Sequence, residues 1–467
     1  MTSENNTSPN PESPNRASST ERTAGLAQRV SELMPGIRSD LEALTRIPSV
    51  SLDSFDQSHV DDSARAVADL LEAEGMRVRI VSEGGRPAVI GHLAGPEGAP
   101  TVLLYAHHDV QPPGDEADWD TPIFEPTEVD GRLYARGVAD DKAGVMAHIA
   151  ALRAHGGAPP VNVTVFVEGE EEIASESLPA ILEKHGESLR ADAIVLADSQ
   201  NWEIGVPALT TTLRGLVRVV VEVKALDHGV HSGMFGGAVP DGLTALARLL
   251  ATLHDDAGDV AVAGLRSSEA ADLDYPEDKL RLESGLADGV SPIGTGSILS
   301  RMWTKPSMTV IGIDAPSVDK AANLLTPVGR AKLSMRIHPA EVPSTAYELL
   351  KKHLQDNAPW GCQVTVTLDD EGPGFAADAQ GPVYDAARSA FRDAWDGTEP
   401  VDIGVGGSIP FVASFAERFP DAAILVTGVE DPDTRAHAAN ESLHLAEFER
   451  VCLAEALLLE RLGRRDG

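Results

Sequence analysis

Five short segments of this 467-residue chain combine histidine or carboxylates in patterns able to do chemistry. In "YAHHDVQPPG", His107 and Asp109 stand two apart, so in extended chain both project to one side. Such a pair can set an imidazole on a metal ion while the carboxylate orients the ring. "RGVADDK" places Asp140 beside Asp141, as helix caps or as a carboxylate bridging two cations. "FVEGEEEIAS" holds Glu168, Glu170, Glu171 and Glu172, and by itself reads more readily as a solvated acidic loop than as a metal site. "LADSQNW" carries Asp198 and "TRAHAANESLHL" carries His437, while His92, His108 and His148 lack such partners and read as structural.

Together the segments offer two histidines and three carboxylates, with no thiolate. Nitrogen and oxygen donors suit a pair of Zn2+ ions, with Co2+ or Mn2+ as alternatives. Two such ions share a carboxylate and a water whose pKa falls towards ~7. A spare carboxylate then serves as general base and later protonates a leaving amine, and "EEE" can supply both a ligand and that base.

These groups need elements to converge them. "TVLLYA", "NVTVFVE", "AIVLAD" and "AAILVTG" read as strands, and each chemical segment except "RGVADDK" follows one of them. "DDKAGVMAHIAALRAH" puts Val145, Met146, Ile149 and Leu152 on one helical face, with Asp140 or Asp141 able to cap its start. Alternating strands and helices predict an α/β domain with a largely parallel central sheet, whose ligands gather at the carboxyl ends of the strands. From about residue 206 the texture changes: "TTLRGLVRVVVEV" reads as one long strand, followed by a helix, two strands, a helix and a strand. The expected organisation is a disordered tail over 1–22, a catalytic domain over 23–205, an inserted α+β unit over 206–380, and a second catalytic part over 381–467.

Composition narrows the function classes. A net charge of −35 repels nucleic acid and anionic membrane surfaces, so neither is an expected partner. No apolar run reaches the ~18–20 residues of a membrane helix, and no signal-peptide core is seen, which points to the cytoplasm. The two cysteines, Cys362 and Cys452, lie outside any C-x-x-C pattern, against a disulfide framework or a cysteine-based zinc finger.

In this order the segments resemble the co-catalytic dizinc metallopeptidase family of carnosinase-like dipeptidases, acetylornithine deacetylases, succinyl-diaminopimelate desuccinylases and glutamate carboxypeptidases. The resemblance runs from about residue 25 onward. It implies that His107 and Asp198 hold one zinc, Glu172 and His437 the other, and that Asp140 bridges them, followed by a cis peptide bond. Asp109 would orient His107, and Glu171 would be the general base. The inserted unit resembles the family's ferredoxin-like lid and dimerisation domain. "DHGVHSGMFGG" implies that His231 polarises the scissile carbonyl, in its own or a partner subunit's site. Arg336 of "LSMRIHP" would grip the substrate carboxylate, with Asn323 and Ser408 of "GGSIP" as further substrate contacts. Ala143 and the Ile173–Ala174 pair depart from the residues frequent in relatives, and the histidine segment is slightly longer. No ligand is lost.

The resemblance implies a homodimeric exopeptidase acting on short peptides with a free C-terminus, tilted to the dipeptidase branch by "HSGMFGG" and "GGSIP". An N-acyl-amino-acid deacylase keeps the chemistry and changes the substrate; a non-catalytic metal-binding relative is the remote alternative.

Overall fold

The structure, a computed structural model, describes residues 19–407 and 409–464. A nine-stranded mixed sheet runs in the spatial order Arg77–Val81, Ala88–Leu93, Asn162–Glu168, Thr101–His107, Ala193–Leu196, Ala423–Val426, Ala208–Leu213 and Phe375–Ala376, with Val401–Val405 also paired to Ala208–Leu213. The four strands from Asn162–Glu168 to Ala423–Val426 are mutually parallel. In Thr101–His107, Val102, Leu104 and Ala106 face one apolar layer, Leu103 and Tyr105 the other. All five are fully buried, as a parallel strand covered on both faces requires.

Helices Ser19–Thr45, Lys142–Ala154, Pro382–Ala394 and Leu445–Leu462 build the first layer. Leu178–His185 and Pro410–Arg418 build the second, where the rings of Tyr105, Phe166, Phe411 and Phe415 pack at centroid separations from 3.5 to 6.3 Å. Among the described residues no helix is long and apolar enough to cross a membrane.

A separate antiparallel sheet runs Ser307–Asp314, Val328–Ile337, Gly215–Lys224, Gln363–Gly372. Helices Gly242–Leu250 and Pro343–Asp356 cover one of its faces, meeting Val217, Val219, Val221 and Val223. Strand order and connectivity are those of a β-α-β-β-α-β, ferredoxin-like unit.

Three expectations change. "TTLRGLVRVVVEV" is two strands, one in each sheet, divided at Arg214. The Arg214 guanidinium donates to the carbonyls of Gly406, Arg301 and Lys305, so the chain turns there instead of continuing straight. The strands Ala208–Leu213 and Phe375–Ala376, inside the expected 206–380 insertion, pair within the large sheet, and the small sheet spans Gly215 to Gly372. Residues 19–22 of the expected tail lie in the first helix, and residues 1–18 fall outside the described residues.

The parallel strands discharge at one edge, after His107, Glu168, Leu196 and Val426. Gly428 is packed there against the segment carrying Asp198: a Cβ at Gly428 would come 1.5 Å from the Ser199 carbonyl oxygen. Gly428→Ala is therefore expected to cost ~1–3 kcal/mol through overpacking, read as a lowered denaturation midpoint.

Candidate functional site

Asp140 lies between the two histidines predicted to be ligands. Its Oδ1 is 3.0 Å from His107 Nε2 and its Oδ2 is 3.1 Å from His437 Nε2. Asp198 Oδ1 stands 3.9 Å from the same His107 nitrogen, and Glu172 Oε2 stands 3.3 Å from the His437 nitrogen. Thus one carboxylate joins two nitrogen–oxygen sets. The peptide bond after Asp140 is cis. His107 is sealed at its strand end, whereas the His437 side chain is 60% exposed and forms an open side of the site.

Asp109 holds this arrangement from behind. Its two oxygens accept the backbone N–H groups of Glu171 (3.2 Å) and Glu172 (3.1 Å), and Oδ1 lies 3.4 Å from His107 Nδ1. It therefore turns His107 Nε2 forward while fixing the start of the glutamate turn. Gln111 donates to Glu172 Oε2 at 2.7 Å, leaving the buried Oε1 without a partner.

The electrostatics follow from crowding acids away from water. Burial, reinforced by Glu172, Asp140 and Asp109, raises the Glu171 carboxyl to about 8. Burial and Asp140 raise Glu172 to about 7. Asp198 is pushed well above the carboxylate range, by burial first. Burial also works against ionisation of Asp140, but its bonds to His107 and His437 outweigh it and hold its pKa low. Burial disfavours a charged His107, yet the hydrogen bonds of Asp109 and Asp140 raise it well above its usual value. The bonds to Asp140 and Glu172 lift His437 to about 11.

The donor set fits divalent cations. His107, Glu171 and Asp198 present ligand atoms all within 4.8 Å of one another, as do His107, Asp140 and Glu172. Burying so many carboxylates together is unfavourable unless positive charge meets them. An orphaned Glu172 oxygen and two imidazole nitrogens facing a common carboxylate are what such cations would use.

Other predicted residues lie elsewhere. His231 and Asn323 are brought together: His231 pairs with Leu324 in a two-stranded ribbon, and Ser232 N–H donates to Asn323 O at 3.1 Å. Both are exposed, and among the described contacts none joins them to the His107 group. Arg336 sits in the small sheet, paired in register with Leu216, and no carboxylate among the described residues bonds to it. Burial and then Arg218 lower its pKa. Ser408 lies outside the described residues.

The reading of the glutamate segment as a solvated acidic loop is narrowed, because Glu168 and Glu170 are both buried. Glu168 accepts from Tyr105 OH, and Glu170 accepts the N–H groups of Arg86 and Ser177. Neither Asp140 nor Asp141 caps the helix through its side chain; Asp141 instead accepts from His107 N–H at 3.1 Å. His92, His108 and His148 are structural as expected, bonded to Thr164, Pro87 O, and Glu455 with Tyr105 O.

Sequence reasoning missed Gln111 and Glu441. Glu441 is fully buried and accepts from Arg136 (2.7 Å) and from the N–H groups of Gly137, Ala139 and Asp140 (2.9, 3.0 and 3.1 Å). It ties the Asp140 turn to the segment after His437. Its signal was a lone glutamate four residues past that histidine, meaningless without the partner turn. Glu441→Ala is expected to destabilise by ~3–5 kcal/mol, since it strands the Arg136 charge, and to lower divalent-metal content; thermal unfolding and metal analysis check both.

Residues 103–461 match the model of peptidase family M20/M25/M40. The chain is 34% identical over 414 residues to the cysteinylglycine-S-conjugate dipeptidase of Corynebacterium striatum, covering 86% of this chain and 90% of that one. It is 31% identical over 433 residues to the Homo sapiens beta-Ala-His dipeptidase, covering 84% and 83%. The crystal structure of human carnosine dipeptidase 1 superimposes with a TM-score of 0.77 at 26% identity, over 94% of this chain and 98% of that chain. With the paired histidine–carboxylate sets at the expected strand ends, this chain belongs to peptidase family M20/M25/M40.

Proposed function

We propose that the protein is a metal-dependent dipeptidase, cleaving the amide bond of short peptides with a free C-terminal carboxylate. The Asp140 carboxylate shared between His107 and His437, with Glu171 beside it, carries this reading. His107 and Asp198 would hold one Zn2+ and His437 and Glu172 a second, with Asp140 between them; Co2+ or Mn2+ suit the same donors. Bound cations supply Lewis acidity and a water acidic enough to attack near neutral pH.

Glu171 is the base in this scheme. It takes one proton from the attacking water and delivers it to the leaving nitrogen as the C–N bond breaks. Its carboxyl, raised to about 8, holds a proton more readily than an exposed glutamate does, which suits the delivery step. Asp109 keeps His107 and the glutamate turn in place. Arg336, without an acid partner among the described residues of a chain with 73 acids and 38 strong bases, would receive the substrate carboxylate as a bidentate donor. His231 and Asn323 would contact the substrate from their two-stranded ribbon, with Ser408 as a further contact.

The small sheet acts as a lid and, we infer, as a homodimer surface through which His231 reaches a partner's site. Supporting this, Ile311 and Ile313 on the edge strand and Met234 beside His231 are 50, 52 and 74% exposed. The unpaired cysteines and the acidic composition suit a cytoplasmic enzyme.

Glu171→Gln is expected to keep full metal content and to lower kcat by at least ~10²-fold; loss of metal instead would make Glu171 a ligand. A hydrolysis panel should show dipeptides turned over in preference to N-acetyl and N-succinyl amino acids, with activity lost on chelation and recovered on adding Zn2+, Co2+ or Mn2+. Preference for the acylated substrates would overturn the dipeptidase assignment. Sedimentation should show a dimer, and a monomer with full activity would exclude exchange of His231.

A further inference from the structure

A dipeptide carries an ammonium group next to its scissile carbonyl, and none of the residues assigned above receives it. Glu430 is placed to do so. It forms a parallel bridge with Gln200, held by Asn201 N–H to Glu430 O (2.9 Å) and Glu430 N–H to Ser199 O (3.3 Å). Gln200 lies two residues beyond Asp198, across a bend at Ser199, so the bridge sets Glu430 at the strand edge that carries Asp198.

Asn201 locks this register. Its Nδ2 donates to Gly428 O at 3.2 Å, and its Oδ1 accepts from Ala208 N–H at 3.1 Å. The neighbouring acids are occupied: Asp431 pairs with Arg132 at 3.0 Å, and Glu441 with Arg136. The Glu430 side chain is half-buried and, among the described residues, makes no hydrogen bond or ion pair. Burial, then the charges of Asp140, Glu441 and Asp141, raise its pKa, while His437 opposes them. The charges it meets are those of the Asp140–His437 half of the site.

An acid with no cation of its own, at the open half of the site, matches a small cationic group of the substrate. We propose that Glu430 receives the α-ammonium of the peptide substrate, and so selects peptides with a free N-terminus over acylated amino acids. The assignment rests on the dipeptidase reading. Paired with Arg336 at the carboxylate end, it would also limit substrate length.

The test compares alanyl-glycine with propionyl-glycine, which differs only in lacking the amine, using kcat/KM, or the inhibition constant where propionyl-glycine is not turned over. Glu430→Gln should shrink the wild-type preference for alanyl-glycine by about 10- to 100-fold, the scale of a charge-assisted hydrogen bond, with metal content unchanged. An unchanged preference, or equal losses on both compounds, overturns the assignment. Glu430→Asp keeps the charge and should retain most of the preference; losing it with the charge intact also overturns the proposal. If the wild type itself prefers propionyl-glycine, the dipeptidase reading fails, an outcome distinct from failure at Glu430.

Discussion

The structure depends on one carboxylate held between two imidazoles. Asp140 reaches His107 through one oxygen and His437 through the other, and those histidines are 330 residues apart in sequence. To keep both contacts, the ends of two parallel strands and the turn before Lys142–Ala154 must meet at one point. The small strands Thr127–Val129, Arg132–Tyr134 and Ser442–His444 pair together just behind it. Arg136 and Glu441 close the same junction.

That junction is electrostatically difficult. Glu171, Glu172 and Asp198 all have ionisation suppressed by burial and by neighbouring acids, and Asp140 stays ionised because both imidazoles bond to it. The rest of the chain compensates through directed hydrogen bonds. Asp109 is satisfied by two backbone N–H groups, and Glu441 by three backbone N–H groups and a guanidinium. Lys142, buried and bonded to Ile47 O, is lowered to about 7 by burial against the pull of Glu441 and Asp109. Buried charge is tolerable at Asp109 and Glu441 because their donors are backbone groups and a guanidinium that cannot move away.

The two sheets divide the work differently. The large sheet is covered on both faces, so its strand ends form a rigid edge from which ligands project. The small sheet is covered on one face only and carries Arg336, while His231 and Asn323 lie at a separate two-stranded ribbon. Arg214, at the crossing between the sheets, donates to carbonyls on both the Val401–Gly406 side and the Arg301–Ser307 side. A half-buried guanidinium whose side-chain partners among the described residues are carbonyls and a hydroxyl fixes position without neutralising charge, and burial lowers it to about 10.

Much was legible in the sequence by itself. Four apolar β-branched runs fixed the parallel centre, because a strand sealed on both faces must be apolar at every position. The H-x-D spacing set Asp109 behind His107, since residues two apart share a side of an extended chain. Other features only the tertiary structure decided. Gln111 and Glu441 matter through partners 61 and about 300 residues away, and no local pattern encodes a contact across that distance. "TTLRGLVRVVVEV" is uniformly strand-like, so its division at Arg214 depended on which carbonyls awaited the guanidinium. Glu168 and Glu170 looked solvated in a chain of charge −35, and only strand pairing and the Tyr105, Arg86 and Ser177 donors placed them inside. Local chemistry dictates which residue types can serve a site, whereas satisfaction of buried polar groups, a property of the whole packed chain, selects the ones that do.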